Sequence, residues 1–132
     1  MPPNRAFVAC ALAACILSWP IPGRASAIPI EAQKVIEQVH AAAANEDFAQ
    51  LRRLMVHDFQ WSFGGDANVD QALDAWKADP KYLRGLKRVT AQQCAFIDNA
   101  IVQCPAKGHT NFRAGFGKTA DGWRMQYFVE GD

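Results

Sequence analysis

Few side chains in this sequence stand where chemistry could begin. His57 and Asp58 are adjacent, and an imidazole and a carboxylate are the residue types most often used as general bases. They open a segment in which Phe59, Trp61 and Phe63 alternate with Gln60 and Ser62, the pattern of a half-buried strand. Neighbours on a strand point to opposite faces, so the two cannot easily pair, and either alone would have to act inside a cavity. The plainer reading has Asp58 turning the strand start and His57 exposed. Asp66 follows Gly64-Gly65, where it either begins a helix or offers a carboxylate to a ligand. Arg113, Arg124 and Glu130 fall on the less apolar face of a terminal hairpin. There they form a cross-strand ion pair on a solvated face, or, if that face lines a cavity, an anion site. Trp61, Phe63, Arg113 and Arg124 are therefore the candidate ligand-binding residues.

Other chemistries lack their residues. The chain has no Gly-x-Ser-x-Gly, no phosphate loop and no His-Glu-x-x-His. No two of His40, His57 and His109 stand at metal-ligand spacing, so neither a metal nor another cofactor is expected.

The elements that would position these residues begin after a distinct leader. Arg5 precedes an apolar stretch from Ala6 to Ile21, then Pro22, Gly23, Arg24 and the small residues Ala25-Ser26-Ala27. That order predicts a secretory signal over residues 1–27, cleaved after Ala27, and a periplasmic or secreted domain over 28–132. Pro20 and Pro22 break the apolar run, which argues against stable membrane insertion. Leu12-Ala13-Ala14-Cys15 offers the alternative of a lipoprotein anchored through Cys15. Removing 27 of the 132 residues leaves 105, enough for one domain. Arg5 and Arg24 leave with the signal, so twelve basic residues face thirteen acids. That balance gives no reason to propose nucleic acid as a partner. Lys77, Lys81, Arg84, Lys87 and Arg88 concentrate positive charge locally, as a solvated face does. Cys94 and Cys104 remain as an even pair in an oxidising compartment, and a three-residue loop at Asp98-Asn99-Ala100 would set them opposite each other as a disulfide.

Residues 30–44 have the helical spacing Ala32, Val35, Ile36, Val39, Ala43, ended by Asn45. Asp47 and Gln50 form a capping box for a short second helix bearing Phe48, Leu51 and Leu54. Asn68 and Gln71 cap a third, with Val69, Ala72, Leu73 and Trp76 on one face. Asp79-Pro80 starts a brief helical turn that Gly85 should stop. From Leu86 the chain reads as an antiparallel meander, β-like from Val89 to Ile97. Its last hairpin, turning at Asp121-Gly122, would set Phe112, Ala114 and Phe116 on one face with Trp123, Met125, Tyr127 and Val129. The other face would pair Arg113 with Glu130 and Thr119 with Arg124. The expectation is an α+β fold, N-terminal helices on a curved antiparallel sheet, burying Val35, Ile36, Val39, Trp61, Phe112, Phe116 and Tyr127 together.

This order of elements resembles the cone-shaped, cystatin-like fold of nuclear transport factor 2, ketosteroid isomerase and the SnoaL-like cyclases. The resemblance is carried by the opening helix pair, the run Leu54-Met55-Val56-His57-Asp58-Phe59-Gln60-Trp61-Ser62-Phe63 and the final Asp121-Gly122-Trp123-Arg124-Met125-Gln126-Tyr127-Phe128-Val129. It is also similar to small exported bacterial proteins with a Ser-Phe-Gly-Gly-Asp turn and a Gly-Trp-Arg-x-x-Tyr-Phe-Val-x-Gly-Asp end. Ketosteroid isomerases use an Asp base with a Tyr and a protonated Asp at the oxyanion. Here the first helix has no tyrosine and the expected inward positions of the last strands hold no acid. The resemblance thus implies a pocket, and a homodimer, rather than an isomerase. The expected function is a noncatalytic exported module binding a small apolar or anionic ligand or a protein partner, with aromatic residues lining the pocket or filling the core. The alternatives are an isomerase- or hydrolase-like enzyme using His57 or Asp58, and an envelope-assembly or inhibitor protein acting through a sheet edge.

Overall fold

The computed structural model describes residues 27–62, 67–107 and 111–131. Residues 1–26 of the expected leader, together with Phe63, Asp66 and His109, lie outside the described residues. Four helices and five strands follow in the order α1 (Ile30–Ala44), α2 (Phe48–Leu54), β1 (Met55–Gln60), α3 (Val69–Ala78), α4 (Lys81–Thr90), β2 (Ala95–Phe96), β3 (Ile101–Cys104), β4 (Arg113–Thr119) and β5 (Gly122–Val129). The helices pack on one face of a single sheet ordered β1-β5-β4-β3-β2. This is the α+β class that the sequence predicts. The sheet is mixed, however, because β1 runs parallel to β5 while the other pairs are antiparallel.

Local chemistry accounts for the helix ends. Asp47 accepts the Gln50 N–H at 3.1 Å, and Asn68 accepts those of Asp70 and Gln71 at 2.8 and 3.1 Å. Each satisfies a donor that the first helical turn leaves unpaired. The apolar faces also land as spaced: Ala32, Val35, Ile36 and Val39 of α1, and Val69, Ala72, Leu73 and Trp76 of α3, are all buried. His40 joins α1 to α4, its Nδ1 lying 3.0 Å from both the Lys87 carbonyl and the Thr90 hydroxyl. It therefore has a structural place between the two helices.

Residues 81–90 depart from expectation. Gly85 does not stop the helix, which continues to Thr90, and the meander starts only at Ala95. The reason is packing: a Cβ on Gly85 would lie 2.4 Å from Cδ2 of Phe112. The glycine makes room for that ring against α4. Leu83, Leu86 and Val89 line its inner side, and Lys81, Arg84, Lys87 and Arg88 stand outward, which explains the local positive charge.

The β2–β3 hairpin forms as expected. Ile97 donates to Ile101 at 2.9 Å across Asp98-Asn99-Ala100, and Cys94 is bonded to Cys104. Closing so short a loop stabilises the chain by about 2–3 kcal/mol at most. The Asp98 carboxylate accepts the Ala100 and Ile101 N–H groups, each at 2.7 Å. Those two bonds hold its pKa below the usual value.

The terminal hairpin differs in register. Its turn is Ala120-Asp121, so Thr119 faces Gly122 and Gly117 faces Arg124. The Thr119 hydroxyl fixes this turn, donating to the Gly122 carbonyl at 2.7 Å and accepting the Asp121 N–H at 3.1 Å. One extra residue then enters β5: Phe116 pairs with Met125, but Gly115 pairs with Tyr127, leaving Gln126 as a β-bulge. Beyond the bulge the faces exchange. Phe128, opposite Ala114, turns into the helix-side core, and Tyr127 turns away from it. The expected core of Val35, Ile36, Val39, Phe112 and Phe116 is buried. Trp61 is only half-buried at its margin, and Tyr127 leaves it for the opposite face. Arg113 accordingly lies opposite Val129, not Glu130, whose carboxylate sits 3.5 Å from Lys81 Nζ.

Candidate functional site

The bulge places two consecutive side chains, Gln126 and Tyr127, on the sheet face away from the helices. Both lie over glycines of β4. A Cβ on Gly115 would stand 2.0 Å from Tyr127 Cε1, and one on Gly117 would stand 2.3 Å from Gln126 Nε2. The Tyr127 ring therefore lies across Gly115, and its hydroxyl reaches β3, donating to Gln103 Oε1 at 2.5 Å. Gln103 is fixed in turn, because its Nε2 donates to the Pro105 carbonyl at 3.1 Å. Burial pushes the Tyr127 pKa above its ordinary 10.0, with Arg113 pulling the other way and Asp98 adding to the rise. The phenol stays protonated at neutral pH, and its one proton is committed to Gln103.

Two recesses open beside this tyrosine. The first, about 310 Å³, is lined by Gln60, Gln103, Arg113, Tyr127 and Val129. The second, about 370 Å³, is lined by Val56, Asp58, Gln60, Thr119, Gln126 and Tyr127. They share Gln60 and Tyr127, so they adjoin on one sheet face, with a guanidinium in one and a carboxylate in the other. Arg113 is steadied by a 3.2 Å bond from Nη1 to the Gly131 carbonyl. A wider hollow of about 550 Å³ at the β2 edge is lined by Gln92, Gln93, Ala95, Pro105, Ala106 and Lys107. Lys107 is the single charged group among those lining residues.

The sequence candidates separate accordingly. Asp58 and Arg113 come to the same sheet face in adjoining recesses. His57, one residue from Asp58, is exposed and lines neither recess, as strand alternation requires. Arg124 shares the face but turns back, its Nη1 donating to the Trp123 carbonyl at 2.7 Å. Trp61 packs against the core, and its buried Nε1 has no hydrogen-bond partner among the described residues. Phe63 lies outside them. Trp76, Phe112, Phe116 and Trp123 fill the core, so the aromatic-lined pocket is not where these residues go. Gln60 and Gln103 are the lining residues that sequence reasoning missed, while Tyr127 stood among the aromatic residues that could line a pocket or fill the core. Gly115 and Gly117, alternating on β4, are the signal that a ring and an amide cross that strand.

No helix among the described residues is long and apolar enough to cross a membrane. No group of three or more His, Cys, Asp or Glu among them could hold a metal ion.

No family model matches the chain, and no curated protein matches it. Among solved structures it is similar to an NTF-2 like protein of unknown function from Shewanella oneidensis MR-1, at 14% identity and TM-score 0.48, covering 78% of this chain and 98% of that one. It is also similar to a protein provisionally assigned as a ketosteroid isomerase from Shewanella frigidimarina NCIMB 400, at 19% identity and TM-score 0.49, covering 75% and 93%. A third is an NTF2-like protein with a cystatin-like fold from Novosphingobium aromaticivorans, at 16% identity and TM-score 0.47, covering 77% and 79%. The likeness is one of fold alone.

Proposed function

We propose that this chain is an exported small-ligand-binding domain that holds a carboxylate-bearing molecule in the recess around Arg113. The observation that carries the reading is the convergence of Arg113, Gln60, Gln103 and Tyr127 from four strands on one hollow of about 310 Å³. A guanidinium offers paired N–H donors to a planar carboxylate. Gln60 adds an amide, and Val129 gives an apolar wall against which an alkyl or aryl group can lie. The role is binding without turnover. Two amides carry no acid or base of use near neutral pH, and burial moves the Tyr127 phenol still further from giving up its proton there.

The test is titration with hexanoate, followed by calorimetry and by backbone amide shifts. Binding should move the Gly115 and Tyr127 amides. Arg113→Gln should weaken it by about tenfold or more, since a hydrogen bond to a charged group contributes about 1.5–3 kcal/mol. Arg124→Gln, on the same face but outside the recess, should leave it within twofold. Equal losses from both substitutions would reduce Arg113 to one charge among several, and no binding at all would end the reading.

Export is supported by the Cys94–Cys104 bond, a linkage that persists in oxidising compartments and rarely in reducing ones. The denatured mass of the protein from the exported fraction should match a chain starting at Ile28, short of two hydrogens. A lipid on Cys15, or an intact residue 1, would refute this cleavage.

A further inference from the structure

The second recess says more about the ligand than the first does. It meets the Arg113 recess along Gln60 and Tyr127, and it has the opposite character. Its charged group is the Asp58 carboxylate, and Thr119 and Gln126 add polar atoms beside it. The boundary between the recesses also favours ligand donors. Tyr127 spends its only proton on Gln103 Oε1, so toward the recesses its oxygen presents lone pairs. Gln60, reaching both recesses, carries a carbonyl acceptor as well as its amide donors.

Resting on the carboxylate-binding reading of the Arg113 recess, we propose that the paired recesses take a zwitterion. Its carboxylate lies at Arg113, and its ammonium or other cationic nitrogen lies at Asp58, past Tyr127 and Gln60. The ligand class is an amino acid with a spaced amino group or a short peptide-like molecule. The two ends of the site are charged in opposite senses, so a simple anion fills one recess and leaves Asp58 facing solvent. A simple cation does the reverse. A molecule of both charges engages both, and its affinity exceeds that of either half.

The test uses straight-chain ω-amino acids of three to eight carbons beside the alkanoates of the same length. Both sets are titrated calorimetrically into the full mature domain. At one length the ω-amino acid should bind about tenfold tighter than its alkanoate. Asp58→Asn should bring that ratio close to one, whereas Asp74→Asn, an exposed acid on α3, should preserve it. Raising the salt should shrink the ratio as well, because Asp58 is exposed. Two outcomes overturn the inference separately. If alkanoates bind through Arg113 and no ω-amino acid binds more tightly, the zwitterion falls and carboxylate binding stands. If neither set binds, both fall together.

Discussion

Trp76→Ala should lower the unfolding free energy by about 3–5 kcal/mol, read as a fall in the urea midpoint followed by circular dichroism. Trp76 is 1% exposed and is the last inward residue of α3. It sits edge-on between Phe59 of β1, with centroids 5.6 Å apart, and Phe128 of β5, at 5.5 Å. Removing it opens a cavity at the point where three elements meet, and both edge-to-face contacts go with it. A domain of this size has about 5–15 kcal/mol in total, so about a fifth or more of its stability is at stake. The indole Nε1 has no hydrogen-bond partner among the described residues. The loss is therefore one of packing alone, which Trp76→Phe isolates: it keeps a ring in place and removes an unpaired buried N–H that itself costs about 1–3 kcal/mol. The phenylalanine variant should retain most of the stability that the alanine variant loses. A loss below about 1 kcal/mol for Trp76→Ala would mean that α3 is not held through this residue.

Trp76 also shows how far the sequence reaches. Its place on the inner face of α3 follows from Val69, Ala72 and Leu73 at helical spacing, and the helix start follows from Asn68 and Gln71. These are local signals, repeated every three or four residues, and the structure keeps them. The partner Phe128 was not legible. Strict alternation along β5 assigns Phe128 to the solvent side and Tyr127 to the core, and only the extra residue at Gln126 reverses them. A bulge has no composition of its own; it becomes visible when both strands are laid side by side. Gly85 misleads in a related way. Read alone it ends a helix, yet its role is set by the distant ring of Phe112. Arg113 and Asp58 were legible as chemical groups, since both were candidates from their type and setting. Their convergence was not, because it depends on the parallel pairing of β1 with β5. That pairing brings Gln60 level with Tyr127, and with it the two recesses.

Gly115→Ala decides between the two registers, and it should cost about 1–3 kcal/mol while abolishing hexanoate binding. In the observed register the new methyl meets three atoms of the Tyr127 ring, 2.0 to 2.6 Å from a Cβ at that position. The ring has to leave, and its bond to Gln103 goes with it. The wall shared by both recesses is then displaced. In the register that simple alternation predicts, Tyr127 lies on the face of Ala114 and Phe116, and the Gly115 position looks away from it. Alanine there would be tolerated, and it would even gain about 0.5–1 kcal/mol over glycine within a strand. The sign of the stability change therefore separates the two arrangements before any ligand is added. Tyr127→Ala gives the companion measurement. With the ring already gone, Gly115→Ala should become nearly neutral, so the two losses fall short of adding by about 1–3 kcal/mol. Strict additivity would show that the ring does not rest on Gly115, and the site built around it would have to be abandoned. Coupling of the expected size would tie the site's shape to the bulge. Arg113 supplies the charge, but the hollow it faces exists because one extra residue in β5 turns a tyrosine out of the core and lays it across a glycine.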